Sequence, residues 1–421
     1  YGAEVATILQ KRGTKLRAIF TNGTHVDSLG PEVFMKVAAF VDLYVGMHQP
    51  EKEGNSFYQN AVADALTSLF GDTITSVPFY WPTTLTTYAD ALAYYEAQDP
   101  IEVRWENGGK AGQEGKPYST ITTTYPAWPP TTAKAERWYL QPDGVLSKTA
   151  PTVPDSSARA ASSYTYDPTS KRISTYDGST SSMWTSHPNV HWNPLAEGKA
   201  LSFVTPAFTG KTPYIGGGSA DLWLRSSATD TDLEVTLTEV RPDGQEVYIQ
   251  SGWLRASRRA LDPVKSTAIR PWPTYQAGDA APLPAGQFVP VRIELFPFAH
   301  IFRAGSRLRV NIEAPGGNQP FWQFSDLAGT ATNEIGHSVG MPSSVLLSQL
   351  PDGRISFYAP SAAPSCAVSG VTTQSQSIRN QPCRAYQPDR KPTAVTATAA
   401  GNVVNVSWQA PPTWAAGPSL T

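Results

Sequence analysis

The chain has 421 residues, too many for one ordinary domain, and predicts two or three domains with enough mass for a sizeable core. Its 33 basic and 35 acidic residues leave a net charge of -2 with no long run of either sign, which argues against nucleic acid, since phosphate binding needs a clustered positive surface. No stretch approaches the ~20 apolar residues of a membrane span, and 16% charged residues with 37 Pro, 32 Gly and 12 Trp is the composition of an extracellular, turn-rich β protein.

The opening residues YGAEVATILQ show no signal peptide and lie inside an amphipathic segment, so residue 1 reads as an internal cut in a longer protein. Val5, Ile8 and Leu9 fall at helical spacing, Gly13 ends that helix, and Leu16 to Thr21 is a short strand. The strand breaks into TNGTH, which presents His25 in a loop, and Pro31 then opens a helix carrying Val33, Phe34, Val37, Phe40, Val41, Tyr44 and Val45. Helical patterns return at about 57 to 70 and 84 to 97, the second ended by Asp99-Pro100.

Beyond Pro100 the apolar period changes from 3.6 to 2. Ile101 to Trp105, Arg137 to Leu140, Leu201 to Thr205, Leu222 to Arg225, Leu233 to Val240, Val247 to Leu254, Val289 to Leu295, Leu308 to Ile312 and Val345 to Leu350 read as strands. Pro-Asp-Gly recurs at 142–144, 242–244 and 351–353, beside strand candidates, as tight turns require. Short strands with turn signals predict a β-sandwich of the jelly-roll kind, with 150–190 as a long irregular insertion.

The expected organisation is therefore α+β and multidomain: 1–99 with strand and helices, 100–360 a jelly-roll sandwich, 361–391 a linker, and 392–421 a further β segment. Cys366 and Cys383 lie in the linker, 17 positions apart, and predict a disulfide whose loop closure contributes about 3 kcal/mol. In the last segment Val404, Val406 and Trp408 alternate behind a Gly-Asn turn, which resembles the opening strands of a fibronectin type III module.

Few residues suggest chemistry on spacing alone. Gly336-His337-Ser338-Val339-Gly340 matches the nucleophile-elbow pattern, which needs a strand into the Ser and a helix out of it. The residues before it show no strand run and those after it read as a strand, so a loop between sandwich strands is preferred. His187 and His191 are four apart, but Pro188 argues against a helix presenting both to a metal. Gly108-Gly109-Lys110 lacks the spacing of a phosphate loop, His300 reads as packed at a strand end, and His48 has no partner in the pattern. No cofactor or metal is expected. His25 stands just beyond a strand end, where open α/β folds place active groups.

Three blocks carry a family likeness: SADLWLRSSATDTDLEVTLTEVRPDG at 219–244, GWLRASRR at 252–259, and PLPAGQFVPVRIELFPFAHIFRAGSRLRVNI at 282–312. In order and spacing they resemble the C-terminal jelly roll of α/β-hydrolases grouped with cocaine esterase and the X-prolyl dipeptidyl-peptidases. YEAQDPIEVRWENG and YTYDP are similar to secreted members, and the resemblance covers roughly residues 1 to 360. It implies a secreted serine esterase or X-prolyl-type peptidase in which TNGTH presents the catalytic base, His25. Family order is Ser, Asp, His, and only 24 residues precede His25, with Glu4 their sole carboxylate. The resemblance therefore implies that Ser and Asp lie on an N-terminal hydrolase polypeptide outside this chain, which is inactive by itself, and that the substrate is a small ester or peptide. Asp27 is too close in sequence to fold back as the triad acid and is expected to be a solvated loop acid. The competing reading is a non-catalytic carbohydrate- or surface-binding protein built of jelly roll and fibronectin-like parts, against which the α/β character before the His loop counts.

Overall fold

In a computed structural model of the chain, the described residues are 2–50, 56–75, 77–78, 81–82, 84–170, 173–174, 184–187, 191–316, 324–351, 353–366, 379, 381–388, 393–400 and 403–409. They form a mixed α+β architecture with one small sheet, one large one and two isolated strand pairs.

Helix α1 (Gly2–Lys11) leads into β1 (Ala18–Thr21). A 3-10 turn at His25–Leu29 then precedes α2 (Pro31–Val41), α3 (Ser56–Phe70) and α4 (Tyr88–Ala97). Pro31 suits the first turn of α2, where its missing N–H costs nothing. The pattern predicts helix through Val45, but α2 passes at Asp42 into a π-helical turn that stops at Met47, whose φ is 52°.

Strand β2 (Ile101–Asn107) runs parallel to β1, from Ala18 opposite Ile101 to Thr21 opposite Arg104. Strand β3 (Ser119–Tyr125) then adds antiparallel to β2. The segment β1, helices, β2 is thus a crossover unit, the connection that parallel strands demand. The first sheet thus takes strands from both sides of Pro100 and extends to Tyr125.

The next strands are β4 (Lys134–Gln141), β5 (Val145–Ser147), β6 (Ala161–Tyr166), β7 (Ile173–Ser174), β8 (His191–Trp192), β9 (Ala200–Val204) and β10 (Thr212–Ser226). After them come β11 (Asp232–Val240), β12 (Gln245–Arg255), β13 (Val289–Phe302), β14 (Arg307–Glu313), β15 (Ala331–Gly336) and β16 (Ser344–Gln349), with α5 (Gly353–Tyr358) and β17 (Cys383–Ala385). Among the described residues the large sheet follows the order β17-β12-β11-β14-β9-β5-β4-β16-β10-β15-β6, with β13 also paired to β10. β6 falls inside the stretch expected to be irregular and pairs with β15 from Ala161–Gly336 to Tyr166–Ala331.

This path encloses one core. Alternate residues Leu222 and Leu224 of β10, Val235 and Leu237 of β11, Ile293 and Leu295 of β13, and Val310 and Ile312 of β14 all point inward and are at most 1% exposed. Gly252 on β12 is required by packing: a Cβ there would sit 1.9 Å from the Glu294 carbonyl oxygen on β13. A second core joins the sheets, with Ile101, Val103 and Trp105 of β2 against Ile215, Ile301 and Ile355. A buried fork from Arg303 to Glu106 crosses the same seam, Nη2 to Oε2 at 2.9 Å. Cys366 and Cys383 form the expected disulfide. β18 (Thr393–Ala400) and β19 (Val403–Gln409) pair antiparallel; the side chains expected to alternate there and residues 410–421 lie outside the described set.

Candidate active site

The site is built where the chain leaves β1 at the carboxyl end of the parallel pair. Asn22 reaches back to β2, its Oδ1 accepting the Asn107 N–H at 3.3 Å. Gly23 is needed because a Cβ would lie 2.5 Å from Asp27 Oδ2. Asp27 is 2% exposed, not the solvated acid the sequence suggests. Its Oδ2 accepts the Thr24 N–H at 2.8 Å and Asn107 Nδ2 at 3.0 Å, and Arg379 closes on the same carboxylate with Nε at 2.8 Å and Nη2 at 2.7 Å. Those donors occupy the carboxylate, which leaves it no bond to His25 among the described residues.

His25 opens the 3-10 turn with its side chain exposed. Its carbonyl accepts the Ser28 hydroxyl at 3.0 Å, and its imidazole and the Trp184 ring pack T-shaped with centroids 4.2 Å apart. Among the described residues no hydroxyl or carboxylate is hydrogen-bonded to that imidazole. The side chain of Glu4 lies outside the described set.

Beside the His loop runs a groove of ≈ 520 Å³ lined by Ile19, Phe20, Thr24, Val37, Phe40 and Glu102 among others. Its floor is the outer edge of β1, which among the described residues pairs with β2 alone. The groove wall on α2 carries apolar side chains open to solvent, with Val37 46% exposed and Phe40 44%. Lys36 on the same helix pairs with Glu102, and burial pulls its ammonium below the usual lysine range despite that carboxylate. Arg104 links Glu32 of α2 at 2.9 Å to β2, and Glu32 accepts the Ser119 N–H at 2.9 Å, so buried charge fixes α2 onto the sheet.

The other candidates fall away from this site. A strand, β15, does run into Ser338, contrary to the sequence reading, but the exit is a β-bridge from His337 to Pro342 and then β16, with no helix. Ser338 donates to Asp155 at 2.6 Å, and the neighbouring His337 is engaged by Ser162 at 2.9 Å. His187 bonds Asp72 at 2.7 Å; the His191 side chain lies outside the described set. Burial works against the Asp72 charge, yet His187, Arg379 and Lys116 together hold its carboxyl below the usual range. His300 is buried on β13 against Glu239 at 2.9 Å, and His48 has a partner after all, Asp42 at 3.5 Å. No group of three metal-ligating side chains occurs among the described residues. Sequence reasoning missed Arg379 and Trp184; the lone Trp in a Ser/Thr-rich stretch is the one available signal for the latter.

The crossover unit thus carries an exposed His at the carboxyl end of β1, beside a large β domain. The family described as the X-Pro dipeptidyl-peptidase C-terminal non-catalytic domain matches residues 96–324, more than half of the chain, and the chain belongs to that family. Among curated proteins it is similar to "Putative serine esterase Mb1866c" of Mycobacterium bovis, 28% identical over 193 residues, covering 44% of this chain and 29% of that protein. It is also similar to cocaine esterase of a Rhodococcus species, 26% identical over 158 residues, 35% of this chain and 25% of the esterase. A solved CocE/NonD family hydrolase from Staphylococcus aureus aligns with a TM-score of 0.45 at 18% identity, covering 71% of this chain and 48% of that one. The chain thus spans less than a third of the length of the curated relatives it matches.

Proposed function

We propose that this chain is the C-terminal portion of a secreted serine hydrolase that cleaves an ester or X-prolyl peptide bond, with His25 as its general acid/base. The nucleophilic Ser and the orienting Asp belong to an N-terminal hydrolase polypeptide outside these residues. His25 takes the Ser proton as the hydroxyl attacks the carbonyl, and returns it to the leaving group; the Asp holds the imidazole and stabilises its charged form. The large sheet is a jelly roll that forms one wall of the substrate pocket, and β18 and β19 open a fibronectin III-like spacer.

The observation that carries this reading is the setting of His25: an exposed imidazole at the carboxyl end of a parallel strand, beside an open strand edge. Parallel pairs are ordinarily buried inside larger sheets. A parallel edge with no second partner among the described residues, beside an apolar helix face, is the surface that further strands of a hydrolase sheet would cover, and exposed apolar patches of this kind mark interaction sites. The secreted setting rests on composition and on the disulfide.

The test is His25→Ala in the assembled hydrolase, with kcat for a chromogenic ester as readout. Loss of a general base lowers kcat by about 10²–10⁴-fold; turnover equal to the parent's would reject the role. The competing reading, a non-catalytic binding protein, draws on one observation: the family match is to a non-catalytic domain, and its span of 96–324 leaves out His25. Retention of an insoluble polysaccharide by this chain, with no serine-reactive partner in the native material, would favour it.

A further inference from the structure

Arg379 lies between the two bridged cysteines, 352 residues from Asp27, and is 2% exposed. Every arm of its guanidinium is used at the His loop. Nε and Nη2 grip Asp27; Nη2 also donates to the Thr24 hydroxyl at 3.1 Å and to the Ser186 carbonyl at 2.7 Å, and Nη1 donates to the Gly115 carbonyl at 2.7 Å. Its own backbone joins in, the Arg379 N–H donating to the Asn107 carbonyl at 2.7 Å and its carbonyl accepting Asn22 Nδ2 at 3.2 Å.

Two consequences converge on His25. Asp27, held by Arg379, accepts the N–H of Thr24, so the residues before and after His25 are tied to one carboxylate. Ser186, held by the same guanidinium, stands two residues from Trp184, whose ring packs T-shaped against the imidazole. Backbone and ring environment of His25 are therefore both tied to one side chain, which lies between the bridged Cys366 and Cys383 in sequence. A planar fork suits this task, since it fixes several acceptors at once where a lysine offers a single point charge.

We infer that Arg379 is a positioning residue for His25, acting through Asp27 and Ser186, and that the Cys366–Cys383 bridge holds it in place. The inference rests on the hydrolase reading of His25. Arg379→Ala, Arg379→Lys and the double variant Cys366→Ser/Cys383→Ser are compared in two measurements. Amide exchange on this chain is expected to speed up about tenfold or more at Thr24 to Leu29 in Arg379→Ala, and by less in the double variant, with Leu237 and Val310 unchanged. In the assembled hydrolase kcat is expected to fall about 100-fold with KM little altered, the cost of a misplaced catalytic group. Arg379→Lys should recover only a small part of it. Unchanged exchange in the His loop, or exchange raised equally in β11 and β14, overturns the inference. Full kcat in Arg379→Ala while His25→Ala is inactive overturns it and leaves the hydrolase reading standing. Full kcat in His25→Ala removes both.

Discussion

The crossover unit and the large sheet spend their apolar residues differently. In the large sheet Leu237, Ile293 and Val310 are fully buried, and the strand path supplies its own covering face. In the crossover unit α2 buries Met35 and Ala39 on one side and turns Val37, Phe40 and Val41 outward, beside a strand edge with no second partner among the described residues. Periodicity of 3.6 marks both faces of α2 as apolar and cannot say which is covered. One region buries its apolar residues within its own strands, while the other leaves an apolar helix face exposed beside a strand edge among the described residues.

Polar residues divide the same way. On the outer face of β11, β12 and β14, Glu246 is wholly buried between Arg309 and Arg384, each at 2.9 Å. Burial opposes the Glu246 charge, but the two guanidiniums hold its carboxyl below the usual range. Nearby, Glu234 faces Glu313 across β11 and β14; burial first, and then that like charge, push its carboxyl up to about 8. Around His25 the buried charges Asp27 and Arg379 set the shape of one short loop.

The comparison can be broken at several points. Glu246→Ala should cost about 3–5 kcal/mol in denaturant unfolding, because two buried guanidiniums lose their counter-charge. A loss below 1 kcal/mol would mean that the face is wetter than it looks. Leu237→Ala should cost about 2–5 kcal/mol by the same measurement, through the cavity left in the closed core. The pH dependence follows from Glu234. It keeps its proton up to about pH 8 when folded and releases it near 4.5 when unfolded, so between those values the folded chain binds more protons and stability falls as pH rises. Glu234→Gln should flatten that slope, which reaches at most about 1.4 kcal/mol per pH unit. The smallest effect belongs to α2: Val37→Ser with Phe40→Ser should shift stability of this chain by only about 0.5 kcal/mol or less. The same pair should reduce binding of a hydrophobic dye, and a shift as large as that of Leu237→Ala would show that this face is already packed.

What the sequence discloses follows from what is local. Helix α3, α4 from Tyr88 rather than 84, and the alternating runs from Leu233 to Ile312 are legible because burial on one face imposes a period. β3 is not: its Thr-rich run shows no alternation, and only its pairing with β2 makes it a strand. β15 and β6 are hidden likewise in Ser-, Thr- and Gly-rich sequence. His25 is marked by its place after a short apolar run and by the family likeness. The tie from Arg379 to Asp27 spans most of the chain and leaves no pattern to read.

In the proposed hydrolase the base is His25 of this chain and the nucleophile is supplied by an N-terminal hydrolase polypeptide. Intact-mass analysis of natively purified material, denatured after treatment with a fluorophosphonate probe, tests it most directly. The account predicts a second polypeptide carrying the mass of the probe and this chain unlabelled. A label on this chain, with Ser338 as its first candidate, would contradict it.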